Sequence, residues 1–437
     1  SGVPGISISI IAGEETVYFS SGFADREKGL PASENTLYEL ASVSKAFTAA
    51  GILLLEEQGR LSMADPVQKY LPWFTLEYQG LPVDMQSLTL NHFLHHTSGL
   101  TNGKHVQSIP QGTTPDMLQK TVEVLVDAEL AFPPGEQYSY GTVNYDVLGL
   151  VIEVVSGQSY ESFMTEQVFQ PLGLHNTYAY KADAQATGQL AQGYRTSFFI
   201  TTPYDAPDYA GNKPAGYLMS CTKDMTRWMK IQMGVIQDIP EAFKAVVMKS
   251  HQGNTSVPDV NGMYYAAGWS VSADKTIIEH AGGNPNFATE VAILPDEQVA
   301  ICLLSNGANM NIALVSNIKS ILDGNLSQSY EIRAGQLLDS VLSSVTIIVC
   351  LLALAFFLFG LRRKKVSKRQ QTTKKRRVIT IVWLMVTAAM CVLCWVFPMF
   401  SGYDWSTILV WQTYSILTTL ISLALLSASV TWFVSAR

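Results

Sequence analysis

The sequence predicts an α+β domain over residues 1–330, followed by a membrane domain of three helices over residues 331–437. Three observations carry this. Strand-like segments joined by short turns stand at both ends of the first 330 residues. Helix-periodic segments and loops fill the middle. From Val341 onward the chain turns apolar in three long uncharged blocks.

The first element is the alternation Ile6-Ser7-Ile8-Ser9-Ile10, a period of two that reads as a strand. Gly13 and Glu14 then turn the chain into a second strand, Thr16–Ser20. After Ser42, the residues Ala46, Ala49, Ala50, Leu53 and Leu54 fall at i, i+3, i+4, i+7 and i+8. That stripe defines the buried face of a helix, which closes at Gly59. A second apolar helix is read over Val147–Val155. Four strand-like runs follow near the far end: Tyr265–Val271, Thr276–His280, Phe287–Leu294 and Val299–Leu304, the last two joined by Pro295-Asp296-Glu297. Turns this short impose antiparallel pairing, because parallel neighbours need long crossovers. The expected architecture is one antiparallel sheet assembled from both termini, with an all-helical half inserted between them.

The apolar blocks run over residues 341–361, 378–400 and about 408–434, each long enough to cross a hydrocarbon core. Residues 324–338 read as the junction to them. Between the first two blocks, Arg362 to Arg377 carries ten basic residues and no acid. A basic loop between two spans marks the cytoplasmic side. The 1–330 domain is then extracytoplasmic, on the inner membrane of a bacterium, and a leader is expected upstream of Ser1. Removing those ten charges from the formal net charge of −7 leaves about −17 on the rest. An acidic domain of this kind does not suit a nucleic-acid partner. Of five cysteines, Cys350, Cys391 and Cys394 fall in the apolar blocks. Cys302, within VAICLL, reads as a buried small residue rather than half of a disulfide. No Cys/His cluster has metal-ligand spacing, and no cofactor is implied.

Chemistry enters with Ser42-Val43-Ser44-Lys45. Residues i and i+3 at a helix start lie on one face, so Ser42 and Lys45 can meet. A serine hydroxyl is a weak nucleophile until a base takes its proton, and a desolvated lysine can lose enough charge to serve. Further on, Phe132-Pro133-Pro134-Gly135 delivers Tyr140-Gly141-Thr142 into a loop ahead of the second helix. Glu279-His280-Ala281-Gly282-Gly283 ends a strand in small residues, allowing a substrate backbone to approach closely. His95, His96 and Ser98 read as holders of a loop.

In order, spacing and setting, these segments resemble the serine β-lactamase and penicillin-binding protein superfamily, in its class C and D-aminopeptidase branch. The resemblance covers nearly all of residues 3–325. It implies a β-lactamase-like fold, with Ser42 as the nucleophile that forms an acyl-enzyme and with Lys45 and Tyr140 as proton carriers. It also implies an oxyanion hole from the Ser42 and Gly283 N–H groups, with His280-Ala281-Gly282 as the strand motif. Two departures count against a β-lactamase: Thr142 stands where the tyrosine motif usually ends in Asn, and His280 replaces the lysine that grips a β-lactam carboxylate.

A catalytic domain of this type followed by three spans resembles the membrane-bound peptidases that mature nonribosomal-peptide prodrugs, of the colibactin, zwittermicin and xenocoumacin type. Tyr38-Glu39-Leu40, Asn144–Gly149 and Gly283–Phe287 carry that likeness. It implies removal of an N-acyl-D-asparagine cap from an exported nonribosomal-peptide or polyketide precursor. Glu39, Thr142, Asn284 and Asn286 are then the candidates for reading the side-chain amide; each reads equally as a turn or structural residue. Membrane lipid, where an acylated substrate concentrates, is an expected partner, and an exporter of the precursor is another. The alternatives are a general D-aminopeptidase, carboxypeptidase or esterase with the same core, and a β-lactam sensor that acylates once.

Overall fold

A computed structural model describes residues 4–105, 109–257, 262–308, 320, 324, 334–366, 374–401 and 403–435. Most of the 324–338 junction and residues 367–373 of the basic loop lie outside the described residues. The chain divides into two compact units. One comprises Ser1–Tyr194 with Pro203–Glu331, the other Arg195–Thr202 with Ile332–Arg437.

The first unit is built on an eight-stranded sheet. Its order is Met263–Tyr265, Ser270–Ser272, Ile278–Gly283, Ala288–Leu294, Val299–Ser305, Gly5–Ala12, Glu15–Asp25 and Leu30–Pro31. Every pairing is antiparallel. The two ends of the unit meet where Ile6 pairs Ser305 and Ala12 pairs Val299. Period-two alternation sends Ile11, Val291, Ile293, Cys302 and Leu304 to the main core. Ile8, Ala292, Ile301 and Leu303 form a smaller cluster on the other face. The expected Tyr265–Val271 strand is two strands. Gly268, at φ +75°, breaks it, since that conformation suits a residue without Cβ and not a pleated ladder.

The helical half packs around Ser44–Glu57, whose side chains are buried from Ser44 through Leu55. A helix buried on every side needs small and apolar residues on every side, and this one has them in Ala46, Ala49, Ala50, Gly51 and the Ile52–Leu55 run. Val143–Ser156 lies against it and ends at Gly157, φ +74°. Cys221 and Cys302 are buried and free.

The second unit contains three helices long and apolar enough to cross a membrane, Leu337–Arg363, Arg377–Phe400 and Ser415–Ser435. The third apolar block is therefore interrupted. A short helix, Trp405–Trp411, precedes the span, and the chain leaves helical geometry at Gln412. The break is chemical: Gln412 and Thr413 are polar, and the Thr413 hydroxyl accepts from the Ser415 N–H at 3.3 Å. The third span packs against both others, and paired hydroxyls bridge it to each. Thr346 meets Thr419 at 2.8 Å, and Thr387 meets Ser427 at 2.9 Å. The Arg195–Thr202 segment belongs to this unit as a hairpin, Tyr194–Ser197 against Ile200–Pro203.

Candidate active site

Ser42 lies in a single 3-10 turn, Ala41–Val43, that leads straight into the Ser44–Glu57 helix. Its predecessor Ala41 has φ +46°, a left-handed conformation that an L-residue holds only under constraint. The constraint is visible on both sides. Leu40 N–H donates to Leu218 O at 2.8 Å, and the Ser44 hydroxyl accepts from Leu218 N–H at 3.1 Å. From the sheet, Gly282 comes so close that a Cβ there would stand 2.8 Å from both Leu40 O and Ser42 N. Only glycine lets the strand motif pass beside the serine backbone.

Lys45 is fully buried, and its Nζ reaches three oxygens: Ala215 O at 2.6 Å, Ser42 Oγ at 3.2 Å and Thr142 Oγ1 at 3.2 Å. The Ala215 carbonyl is aimed by a neighbouring clamp in which Thr48 Oγ1 donates to Pro214 O at 2.7 Å. Burial pulls the Lys45 amine down to about 7, opposed by the charge of Asp146. Asp146 is itself buried and pushed well above the carboxylate range, held by an Asn212 amide at 2.6 Å. Gly268 also serves here. A Cβ on it would lie 2.5 Å from the backbone N and Cα of Ala46, so the sheet corner seals the start of the helix against water.

Tyr140 stands over this group, with Lys45 Nζ 5.0 Å from its ring centroid. Burial pushes its phenol well above the ordinary value, and the Ser42 hydroxyl opposes that push. The ring is held from behind by His96, centroids 4.3 Å apart. His96 Nδ1 accepts from Gly141 N–H at 3.3 Å and lies 3.0 Å from the Asn144 amide. Ser98 donates to Asn144 Oδ1 at 2.6 Å, and His95 Nδ1 lies 2.9 Å from Tyr265 O. His96 and, through Asn144, Ser98 hold the loop that carries Tyr140, while His95 is tied to the Met263–Tyr265 strand.

His280 is buried and carries no charge near neutrality, its imidazolium destabilised to about 3 by burial and by Lys45. Nδ1 sits 2.8 Å from Ala281 O, which can only accept, so Nδ1 bears the hydrogen and Nε2 accepts from the Tyr265 hydroxyl at 3.1 Å. At this position the site therefore presents no cation to a substrate carboxylate.

The remaining sequence candidates occupy one region with their polar groups partly engaged. Asn284 Nδ2 donates to Glu39 Oε2 at 2.6 Å and Gly216 O at 3.0 Å. Asn286 Nδ2 donates to Tyr204 O at 2.9 Å, leaving its buried Oδ1 without a partner among the described residues. Burial raises the Glu39 carboxyl, countered by the Asn284 amide. Glu39, Tyr217 and Asn286 line a cavity of about 460 Å³. Sequence reasoning missed Asp146, Tyr265 and the Ala215 carbonyl. Asp146 lies four residues after Thr142 on one helix, and an acid inside an apolar run was the available signal.

The β-lactamase family model matches residues 1–324. Protein flp of Staphylococcus aureus (strain NCTC 8325 / PS 47) is 29% identical over 443 aligned residues, covering 96% of this chain and 85% of that protein. The flp of strain MW2 is 31% identical over 311 residues, 70% of this chain, and this chain spans 60% of that protein's length. Penicillin-binding protein 4* of Bacillus subtilis (strain 168) is 29% identical, covering 69% and 68%. Among solved structures, the octameric penicillin-binding protein homologue from Pyrococcus abyssi superposes with a TM-score of 0.62 at 25% identity, over 74% of each chain. With its family matched over almost the whole first unit, and with relatives of penicillin-binding type, the chain belongs to the β-lactamase family of serine hydrolases.

Proposed function

We propose that this chain is a membrane-bound serine peptidase in which Ser42 attacks an amide carbonyl, with Lys45 as the first proton acceptor. The observation that supports it best is the Lys45 amine, desolvated to a pKa of about 7 and 3.2 Å from Ser42 Oγ. As free base, the amine keeps its hydrogens on Ala215 O and Thr142 and turns its lone pair to the Ser42 O–H. Proton transfer to Nζ then accompanies C–O bond formation, and negative charge develops on the carbonyl oxygen. Backbone N–H groups of Ser42 and Gly283 stabilise that charge. Collapse expels the amine, which takes a proton relayed through Tyr140 from Lys45. Water enters by the reverse route, cleaves the ester and restores Ser42.

The substrate we assign is an N-acyl-D-asparagine cap on an exported nonribosomal-peptide or polyketide precursor. Its supports are the likeness to prodrug-maturing peptidases, the three candidate spans, and a neutral His280 in place of a carboxylate-gripping lysine. The Oδ1 of Asn286, without a partner among the described residues, is an acceptor suited to a side-chain amide N–H. A specific observation favours a second reading, a general D-aminopeptidase, carboxypeptidase or esterase: the Asn284 amide N–H groups are already given to Glu39 and the Gly216 carbonyl.

The test is mass-spectrometric. The full chain in nanodiscs and its Ser42→Ala variant receive N-acyl-D-Asn-X, its L-Asn epimer, an N-acyl-D-Ala-X control and a chromogenic β-lactam. Serine-dependent release of acyl-D-Asn alone is the expected result. Equal cleavage of the D-Ala substrate moves the assignment to the general hydrolase. A stable β-lactam adduct without turnover moves it to the sensor.

A further inference from the structure

The hairpin Arg195–Thr202 leaves the first unit and belongs wholly to the second. Its two ends are fixed by charge. Arg195 is buried, and its Nη1 donates to Leu409 O at 2.6 Å, Val410 O at 3.1 Å and Gln412 O at 3.3 Å. Those are the carbonyls left open where the Trp405–Trp411 helix ends. The guanidinium also lies over the Tyr414 ring, 4.1 Å from its centroid. At the tip, the Asp339 carboxylate accepts the N–H groups of Phe198 and Phe199, each at 3.1 Å, and the Thr413 hydroxyl at 2.5 Å. Asp339 is the third residue of the first span, and Tyr414 directly precedes the third. The tip is thus pinned at the level where two spans begin.

The residues at the tip are the unusual part. Phe198 and Phe199 have φ +53° and +62°, consecutive left-handed residues as in a type I′ turn. Asn-Gly is the favoured pair there, and a bulky L-residue in each place is strained. The carboxylate of Asp339 offsets that strain. A sequence that accepts it keeps two aromatic rings at a turn. Phe199 is 54% exposed and Ile200 63% exposed, and no charged residue occurs from Thr196 to Thr202. Leu337, Leu338 and Val341, exposed at the same end of the first span, continue the apolar surface.

We propose that this tip is a lipid-seating element. Phe199 and Ile200 lie in the boundary between headgroups and acyl chains of the bilayer leaflet where the first and third spans begin, the depth at which aromatic side chains are most at home. The occupant is lipid because the patch is continuous with spanning surface and anchored to it by buried polar contacts.

The experiment uses the full chain with Cys350, Cys391 and Cys394 replaced by alanine. A bimane label is placed at Phe199→Cys or Ile200→Cys, and at Met248→Cys, a 67% exposed position in the first unit. Ile200→Cys leaves both left-handed residues in place and guards against a folding failure at Phe199. In phosphatidylcholine nanodiscs, doxyl-labelled lipid is expected to quench the tip label several-fold more than the label at 248. Aqueous iodide is expected to quench it several-fold less. Iodide quenching equal to that at 248 overturns the proposal. A label shielded from iodide and from doxyl lipid alike also overturns it, and indicates a protein partner instead.

Discussion

Burying Lys45 costs the fold stability, and that cost can be measured by removing the amine. An ordinary lysine titrates at 10.5 and this one at about 7. Below pH 7 the folded state must carry a desolvated ammonium, while the unfolded chain carries a hydrated one. The penalty amounts to about 5 kcal/mol at pH 6, about 4 kcal/mol at pH 7 and about 1 kcal/mol at pH 9.5, and vanishes above 10.5. The sign follows from proton counting: between 7 and 10.5 the unfolded state binds one more proton, so stability rises with pH. Lys45→Met keeps the length and apolar stem and removes the charge. It also forfeits hydrogen bonds to Ser42, Thr142 and Ala215, together about 2–3 kcal/mol. The variant is therefore expected to be inactive, more stable than the parent by about 2 kcal/mol at pH 6, and less stable by about 1 kcal/mol at pH 9.5. The hydrogen-bond loss cancels when the two pH values are compared, leaving a difference of about 3 kcal/mol from the titration alone. Thermal unfolding of the full chain in one detergent at both pH values reads this as a change of several degrees. An identical effect on Tm at the two pH values would refute the claim that the amine is neutral in the folded state near pH 7.

The rate of Ser42 acylation by an activated amide or ester should rise with pH through about 7 and level off; stopped-flow acylation between pH 5 and 9 checks this. Thr142→Val deletes one of three Lys45 partners and should lower kcat/KM about 10-fold, roughly one neutral hydrogen bond, while Thr142→Asn should retain most of the activity. Gly268→Ala forces a Cβ to 2.5 Å from the Ala46 backbone at a positive φ, and should destabilise the fold by about 3 kcal/mol or more, read as a fall in Tm. Asn284→Ala strands the buried Glu39 carboxyl. Because the folded Glu39 already titrates above 4.5, its loss of Tm should be larger at pH 8 than at pH 5.

Local patterns in the chain disclosed what local chemistry determines. Alternation at Ile6–Ile10 and in the last strands prescribed the sheet, and the stripe from Ala46 to Leu54 prescribed the central helix. The i, i+3 spacing of Ser42 and Lys45 already contained their meeting, since a single turn sets it. Partners across long separations were not legible in that way. Nothing near Lys45 in sequence announces a carbonyl 170 residues away at Ala215, or the Tyr265 hydroxyl that fixes the His280 tautomer. The break after Trp411 was hidden for a similar reason. An uncharged run reads as one helix until an arginine from residue 195 is seen to occupy its carbonyls. Tertiary context also split the Tyr265–Val271 run, where Gly268 is shaped by its neighbour in the central helix.

The third span has a bearing on how the chain is made. It packs against both earlier helices, whereas contacts of that extent do not join those two to each other among the described residues. When the ribosome has released only the first pair, Thr346 and Thr387 lack their partners on the third helix and have only backbone carbonyls of their own helices, as Thr346 has Leu342 and Thr387 has Trp383. The helix Ser415–Ser435 acts as a keystone between them. A nonsense codon just before Ser415 would leave Ser42 and its neighbours fully encoded, yet release the first two of these helices without the one that joins them.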